Sequence, residues 1–359
     1  MKRIVSIDLV RGVVMMLMAI DHVRVYSGVP PGGPSPGVFF TRWITHFVAP
    51  TFVFLAGTSA YLYGRKLTRG ALSKFLVTRG LWLVLLELTI IRIAWTFNFD
   101  FRDYMLAGVI WVIGWSMVVL SAAVHLPQKA IAAIAIAIIA LHNLLPDVAE
   151  PNALLKLLYY GGAIGPLRIL YVLIPWVGVM MAGYAFGPVM ESERRRTICL
   201  RLGLALTALF VVLRFIDVYG DPRHWRGGPS PLLFIATTKY PASLLFLLMT
   251  LGPMFLMLAW AESWRGSVLQ TFGRVPMFYY LLHIPLIHLA ACIVSLIREG
   301  RVNPWLFGNH PMDPPPLPPG YMWSLPLLYL VFAVCVFALY FPCRWYAGVR
   351  GRHRWLTYL

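Results

Sequence analysis

Long apolar stretches follow one another along the whole chain, and no segment of soluble-domain composition separates them. Hydrophobic residues occupy 59% of the 359 positions and charged residues only 13%, whereas soluble chains average about a quarter charged residues. Because a helix needs about 20 apolar residues to cross a bilayer, we expect an all-α, polytopic integral membrane protein with about ten transmembrane helices. We expect these helices to form a single domain, 1–359. The predicted spans are 5–26, 44–64, 79–98, 105–124, 129–145, 168–187, 199–216, 240–261, 275–296 and 323–343.

Basic residues are distributed unevenly between the two sides that these spans define. The chain has 31 Lys and Arg against 14 Asp and Glu, and more than half of the 31 fall on one side. That side is cytoplasmic by the positive-inside rule, which predicts an even number of spans with both termini in the cytoplasm. We expect the protein in the plasma (inner) membrane. The basic residues assigned to it are Lys2, Arg3, Arg65, Lys66, Arg69, Lys74, Arg79, Lys129, Arg194, Arg195, Arg196, Arg201, Arg265, Arg274, Arg344, Arg350, Arg352 and Arg354.

The positive charge does not indicate a nucleic-acid partner, because it lies in short clusters between apolar runs without a basic stripe interleaved with aromatics. The cysteines show no CxxC and no paired spacing, which argues against a zinc site and a disulfide framework. We therefore predict the lipid bilayer as a partner, no nucleic acid and no metal. The cysteines are Cys199, Cys292, Cys335 and Cys343.

The outer loops differ in kind from the inner ones. They are long and rich in Pro, Gly, Trp and Tyr, and they occupy 27–43, 146–167, 217–239 and 297–322. Such loops either cover a cavity or serve as irregular connectors with polyproline II character.

The first span carries the most informative residues. Arg11, Met15, Met18 and His22 follow the i, i+4, i+7, i+11 pattern of one helical stripe. Eleven steps place Arg11 and His22 about 16 Å apart along the axis, with the cation near the inner surface. Charged groups within a span usually face a cavity or one another. The stripe therefore lines a functional path, or else it serves helix packing with His22 as an interfacial histidine.

Two carboxylates accompany this stripe. Asp8 lies three residues before Arg11 and can pair with it, and Asp21 adjoins His22. Because the segment carries these ionisable groups, we do not expect it to be a cleavable signal peptide.

The first span resembles the first-helix signature of the transmembrane acyltransferases, through the string from Ser6 to Gly12 and a histidine eleven residues after Arg11. That group includes the acyltransferase-3 family, the YeiB-like proteins and the heparan-α-glucosaminide N-acetyltransferase family. In acyltransferase-3 members the histidine at this spacing is regarded as catalytic. The resemblance implies that role for His22, with Asp21 or another carboxylate orienting its ring.

The second span is similar to the second helix of the heparan-type acetyltransferases. The matching residues are Pro50, Phe52, Phe54, Gly57 and Ser59. The sequence departs from that family in one respect: the histidine that those enzymes place well upstream of the proline would fall in the loop near Pro36, where there is none. His46, four residues before Pro50, stands where they have an aspartate. His46 either assists catalysis or acceptor binding, or it is a histidine at a helix end in the outer interface.

Residues 273–283, at the start of the ninth span, resemble the late signature of the same family at Gly273, Tyr280 and His283, while Val275 and Pro276 replace its Asn-Ser pair. Tyr279 and His283 share a helix face at i, i+4, and Tyr280 and His283 share one at i, i+3. Such a polar face either lines a pore or bonds neighbouring helices.

The resemblance implies an enzyme that moves an acetyl or short acyl group from cytoplasmic acetyl-CoA to an acceptor on the outer side of the membrane. The acceptor is a sugar hydroxyl or amine of the cell envelope, a small molecule or a lipid-linked glycan, and related proteins are often homodimers. Phosphates of the donor favour basic side chains, here Arg11, Arg65, Lys66 and Arg274. The residues assigned to acceptor binding are Arg11, Asp8, His46, Trp43, Tyr279, Tyr280 and His283.

Two other classes of protein remain open from the residues alone. A transporter or channel uses buried charges as a path, although no inverted repeat is visible in the sequence. A catalytically silent membrane scaffold is the third class. Glu87 and Arg92, five residues apart in the third span, are expected to find partners on other helices and to serve stability.

Overall fold

The computed structural model of the protein describes residues 4–33, 35–228, 230–264 and 267–350. It is mostly helical, at 71%. The α-helices in chain order are α1 Val5–Ser27, α2 Pro36–Trp43, α3 Val48–Gly64, α4 Arg69–Leu86, α5 Arg92–Thr96, α6 Val109–Ala123, α7 Gln128–Leu141, α8 Ala153–Leu155, α9 Trp176–Glu191, α10 Arg195–Ile216, α11 Leu244–Ala261, α12 Ser267–Arg274, α13 Pro276–Glu299 and α14 Leu325–Val349. Among the residues used to predict the orientation, Lys2, Arg3, Arg265, Arg352 and Arg354 lie outside the described residues.

Shorter elements connect these helices. The 3₁₀ turns are Ile44–Phe47, His142–Leu144, Trp225–Gly227, Pro231–Phe234 and Pro304–Phe307, and the π-helical turns are Glu87–Ile91 and Lys156–Tyr160. The strands are β1 Met105–Ala107, β2 Gly162–Ile164 and β3 Leu167–Ile169. They form one sheet in the order β1-β3-β2, in which β3 pairs parallel with β1 and antiparallel with β2.

Each of the ten predicted spans overlaps an α-helix, and the prediction of an integral membrane protein is confirmed. Among the described residues, five helices are long and apolar enough to cross a membrane. They are Pro36–Gly64, Arg195–Ile216, Leu244–Ala261, Pro276–Glu299 and Leu325–Val349. The count of ten spans, the cytoplasmic termini and the single domain stay predictions.

The all-α prediction is wrong at two span boundaries. The predicted spans 105–124 and 168–187 begin in β1 and β3, and their helices begin only at Val109 and Trp176. The two short strands satisfy their backbone groups by pairing with each other, and hydropathy over a few residues does not separate a strand from the start of a helix.

The chain folds into two compact units, each assembled from segments that are distant in sequence. The first comprises the described residues of Met1–Val48, Thr89–Asp100 and Ser263–Leu359, and the second those of Ala49–Leu88 and Phe101–Glu262.

In the first unit, α1 packs on α12, α13 and α14. Two glycines allow the backbones of α1 and α12 to touch: a Cβ at Gly12 would overlap the Leu269 carbonyl, and one at Gly273 would overlap the Asp8 carbonyl. Small residues at such crossings are typical of membrane helices. Gly12 and Gly273 belong to the two motifs at opposite ends of the chain, so their spacing brings the motifs together.

The C-terminal end of α1 is closed by the loop that precedes α14. Gly28 ends the helix in the left-handed conformation, with φ 72°. Donors from the loop satisfy the last carbonyls of α1: Asn309 Nδ2 to Val25 at 2.9 Å, Tyr321 Oη to Tyr26 at 3.0 Å and the Trp323 amide to Ser27 at 2.9 Å. The chain around the C-terminal end of α1 is therefore an ordered cap, and this part of the predicted loop 297–322 is not a loose connector.

The second unit uses the same device of close glycine crossings. A Cβ at Gly57 of α3 would overlap the Met180 carbonyl of α9, and one at Gly183 of α9 would overlap the Phe54 carbonyl of α3. Gly57, one of the residues that carry the second-span resemblance, therefore has a packing role.

Candidate active site

Two histidines from distant parts of the chain meet inside the first unit. Nδ1 of His22, on α1, lies 2.6 Å from Nε2 of His283, on α13. The ring centroids are 4.7 Å apart and the ring planes are inclined by 23°, so the imidazoles meet edge to edge through these two nitrogens. His22 is half-buried and His283 is fully buried. The pair unites the histidines of the first-helix motif and of the late motif.

The surroundings of His283 are set by its own helix. Its Nδ1 lies 2.6 Å from the carbonyl oxygen of Tyr280, one turn earlier. The ring of Tyr279 lies nearly parallel to that of His283, with centroids 5.5 Å apart, and the Tyr280 ring lies 5.1 Å away. The shared face predicted for these three residues is therefore present.

Trp95 from α5 lies on another side of the pair. Its ring meets His22 edge to face at 4.8 Å and lies nearly parallel to the Tyr26 ring at 5.6 Å. Among the described residues, Nε1 of Trp95 and Oη of Tyr279 are buried without a hydrogen-bond partner. Buried polar atoms are usually bonded, so these two atoms are available to a bound substrate.

His288, a second histidine on α13, continues the row of rings away from His22. Its ring lies 4.7 Å from that of Tyr26 and 3.9 Å from that of Phe97, nearly parallel to both. Its Nδ1 lies 3.2 Å from the Ala94 carbonyl oxygen. His288 is fully buried and contacts aromatic rings where His283 contacts an imidazole.

Sequence reasoning missed Trp95 and His288. Trp95 follows the π-helical turn Glu87–Ile91, which shifts the phase of the helix, so regular helical periodicity cannot assign its face. His288 carried a usable signal, a second histidine five residues after His283 in the same apolar span.

Asp21 lies between two arginines. Its Oδ1 accepts from Nε of Arg24 at 3.0 Å, and its Oδ2 accepts from Nη1 of Arg42 at 2.5 Å. Arg24 and Arg42 are buried. This charged cluster therefore lies at the residue that directly precedes His22 in the chain. The orienting role predicted for Asp21 stays a prediction, while Nδ1 of His22 faces His283.

The remaining residues assigned to acceptor binding lie elsewhere in the first unit. Asp8 is buried and Arg11 half-buried on α1. His46 is half-buried in the 3₁₀ turn after α2, and Trp43, at the end of α2, meets the Phe47 ring edge to face at 5.1 Å. Their roles stay predictions.

The other basic residues assigned to the acyl donor are exposed. Arg274 ends α12, and its carbonyl accepts from Nη1 of Arg350 at 2.5 Å. Arg65 and Lys66 follow α3 in the second unit, where Arg65 pairs with Glu191. In the described parts of the chain, no group of three or more His, Cys, Asp or Glu is arranged to hold a metal ion.

The geometry suits proton transfer. A half-buried imidazole that contacts a buried one can take up and return a proton. The rings of Trp95, Tyr279 and Tyr280 surround the pair.

Comparison with known families gives one match over more than half of the chain. The sequence profile of "Heparan-alpha-glucosaminide N-acetyltransferase, catalytic" matches residues 3–216. The matched range contains His22 and Trp95 and ends before α13. No curated protein matches the chain significantly.

Proposed function

Because the chain belongs to the heparan-α-glucosaminide N-acetyltransferase catalytic family, a family of transmembrane acetyltransferases, we propose the following reaction. The protein moves an acetyl or short acyl group from cytoplasmic acyl-CoA to an acceptor hydroxyl or amine on the outer side of the membrane. The observation that carries this proposal is the contact of His22 with His283. It joins the family's first-helix motif to a buried proton-transfer group.

In this reaction His22 is the general base. It takes the proton of the acceptor hydroxyl or amine as that atom attacks the thioester carbonyl. The tetrahedral intermediate collapses with cleavage of the C–S bond, and the CoA thiolate leaves with the proton that His22 had taken. The products are the acylated acceptor and free CoA, and no metal is needed.

Substrate binding follows from charge and position. Arg11 and Arg274 bind the phosphates of the donor at the cytoplasmic side. The acceptor, a sugar or another small hydroxyl or amine compound, binds near Asp21, Trp43, His46 and the tyrosines of α13. We place the enzyme in the plasma membrane as a homodimer with both termini in the cytoplasm.

The first experiment measures release of free CoA thiol from acetyl-CoA by the purified protein in proteoliposomes, with a panel of amino sugars and sugar alcohols as acceptors. His22→Ala is expected to lower turnover by about 10²- to 10⁴-fold, the usual contribution of a general base. The matched control is His125→Ala, because His125 is exposed in the second unit and is expected to keep wild-type turnover.

Two outcomes contradict the proposal. Wild-type turnover in His22→Ala with an unchanged unfolding temperature removes His22 from the chemistry. Acceptor flux into liposomes without acyl-CoA, together with no CoA release, identifies a transporter. Mass spectrometry of the quenched wild-type enzyme separates direct transfer from an acetyl-histidine intermediate.

A further inference from the structure

We propose that His283 is a positioning residue that holds neutral His22 in one tautomer, with the proton on Nδ1 and the lone pair on Nε2. The catalytic consequence of this inference rests on the proposed function, and the tautomer itself does not. The backbone carbonyl of Tyr280 determines which nitrogen of His283 carries hydrogen. The hydrogen bond between the two histidines then determines which nitrogen of His22 carries hydrogen.

The Tyr280 carbonyl fixes the first proton. A carbonyl oxygen only accepts hydrogen bonds, and it lies 2.6 Å from Nδ1 of His283. Nδ1 of His283 must therefore carry hydrogen. The carbonyl belongs to the same helix as the histidine, one turn before it, so this arrangement is rigid.

Burial determines the protonation state of the second nitrogen of His283, Nε2. His283 is fully buried, and its nitrogens face a carbonyl and another imidazole. Without a carboxylate at either nitrogen, the cost of burying a charge keeps the ring neutral. A neutral imidazole protonated at Nδ1 has a lone pair on Nε2, so Nε2 of His283 is an acceptor.

The contact between the histidines then fixes the tautomer of His22. Nε2 of His283 accepts and lies 2.6 Å from Nδ1 of His22, so Nδ1 of His22 must donate. In neutral His22 the remaining nitrogen, Nε2, has no hydrogen and offers its lone pair. The protonation of both rings is thereby traced to one backbone carbonyl of α13.

This order of protons matches what a general base needs. Nε2 of His22 takes the acceptor proton while the oxygen or nitrogen of the acceptor forms its bond to the thioester carbon. The Nδ1–H···Nε2 bond to His283 strengthens as His22 becomes positive, and the same proton leaves with the CoA sulfur when the C–S bond breaks. A neutral imidazole thus does what a buried aspartate does in the serine protease triad, without a second buried charge.

The chain contains its own control. His288 also presents Nδ1 to a carbonyl oxygen, that of Ala94, but its ring contacts Tyr26 and Phe97. Loss of either histidine removes a buried imidazole from α13. Only loss of His283 removes the acceptor that faces His22.

The test is ¹⁵N NMR of the full-length protein in lipid nanodiscs with ¹⁵N-labelled histidine, with the signals of His22 assigned from the spectrum of His22→Asn. Wild type is expected to show a protonated Nδ1 and a pyridine-type Nε2 at His22. His283→Gln keeps an acceptor and is expected to keep that pattern, whereas His283→Leu is expected to lose it. His288→Leu is expected to leave the His22 tautomer unchanged.

Two spectroscopic results overturn the inference. One is a wild-type His22 protonated on Nε2 in its neutral form. The other is an unchanged His22 tautomer in a folded His283→Leu protein.

Activity provides the second arm. His283→Leu is expected to lower kcat by about 10²-fold or more with KM near wild type, because the wrong tautomer costs up to about 10⁴-fold in the serine protease triad. His283→Gln is expected to recover most of kcat, and a failure of this rescue in a folded protein with the wild-type tautomer contradicts the positioning role. If the wild type transfers no acyl group, the proposed function fails, while the tautomer is still decided by NMR.

Discussion

Two buried ionisable groups of the second unit, Glu87 and Arg214, differ from the histidine pair of the first unit in the kind of partner that they bond. In the second unit both side chains form hydrogen bonds with backbone groups. Glu87 Oε2 accepts from the Ile110 and Trp111 amides, and the Arg214 guanidinium donates to loop carbonyls. In the first unit, His22 and His283 face each other through ring nitrogens that can exchange protons.

The difference separates structural from chemical uses of a buried polar group. A side chain bonded to the backbone gains stability and loses the freedom to change its protonation, since each bond fixes one partner as donor or acceptor. The histidine pair keeps a route for a proton to the half-exposed ring. A contact between two side chains, such as that of His22 with His283, is therefore a better indication of chemistry than a side chain bonded to the backbone alone.

The largest stability effect is expected for Arg214→Met. The side chain of Arg214 donates to the carbonyls of Arg223, Leu233, Phe234 and Ala236, and its loss leaves these acceptors unsatisfied. We expect the free energy of unfolding to fall by about 3 kcal/mol, measured by denaturation in detergent micelles, with undiminished turnover per folded molecule. The exposed Arg223→Met is the matched control, within about 0.5 kcal/mol of wild type. A loss of turnover per folded molecule in Arg214→Met would show that this backbone-bonded side chain also takes part in the chemistry, and would contradict the comparison between the two units.

Gly273→Ala is expected to cost somewhat less in stability but to affect chemistry as well. The added methyl group overlaps the Asp8 carbonyl at the crossing of α12 with α1, and such overpacking costs about 1–3 kcal/mol. Because α1 carries His22, turnover per folded molecule is expected to fall too, as measured by CoA release. Gly348→Ala is the control, since nothing lies within 4 Å of a Cβ there. Equal stability of the two variants contradicts the crossing.

At Glu87, two substitutions separate charge from hydrogen bonding. Glu87→Leu leaves the Ile110 and Trp111 amides without their acceptor and is expected to cost about 2 kcal/mol of unfolding free energy. Glu87→Gln keeps a carbonyl oxygen and is expected to lose about half as much. If Glu87→Gln abolishes turnover while the protein stays folded, Glu87 carries a proton in the reaction and belongs with the histidine pair.

The smallest effect is expected for Tyr321→Phe, which removes one donor from the cap over α1. Burial raises the pKa of the Tyr321 phenol, so it remains a donor to the Tyr26 carbonyl throughout the neutral pH range. Its loss is expected to cost about 1 kcal/mol, measured by denaturation beside the exposed Tyr63→Phe. A cost as small as that of Tyr63→Phe would show that the bond contributes nothing.

Hydropathy predicted the helices well because each apolar run had to satisfy its backbone within the membrane. It missed β1 and β3, where the apolar runs pair with each other. Motif spacing predicted that His22, Tyr279, Tyr280 and His283 are site residues, and the structure brings them into one cluster, although their roles remain to be tested.

Periodicity could not have predicted the contact between His22 and His283. It assigns each histidine to a face of its own helix but does not say which faces meet. That depends on the backbone crossing at Gly12 and Gly273, which no helical pattern encodes. Asp21 illustrates the same limit: adjacency to His22 in sequence gave no information about Arg42, which reaches it from α2.

The bond between His22 and His283 joins residues separated by 261 positions, and that separation has a consequence for biosynthesis. At about 5–20 residues per second, a ribosome needs roughly 13–52 s to synthesise the intervening chain. During that time α1 is already made, while α12 and α13, the helices against which it packs, do not yet exist. A nascent chain therefore carries His22 without His283 until α13 has been synthesised, and the candidate site is assembled only after that point.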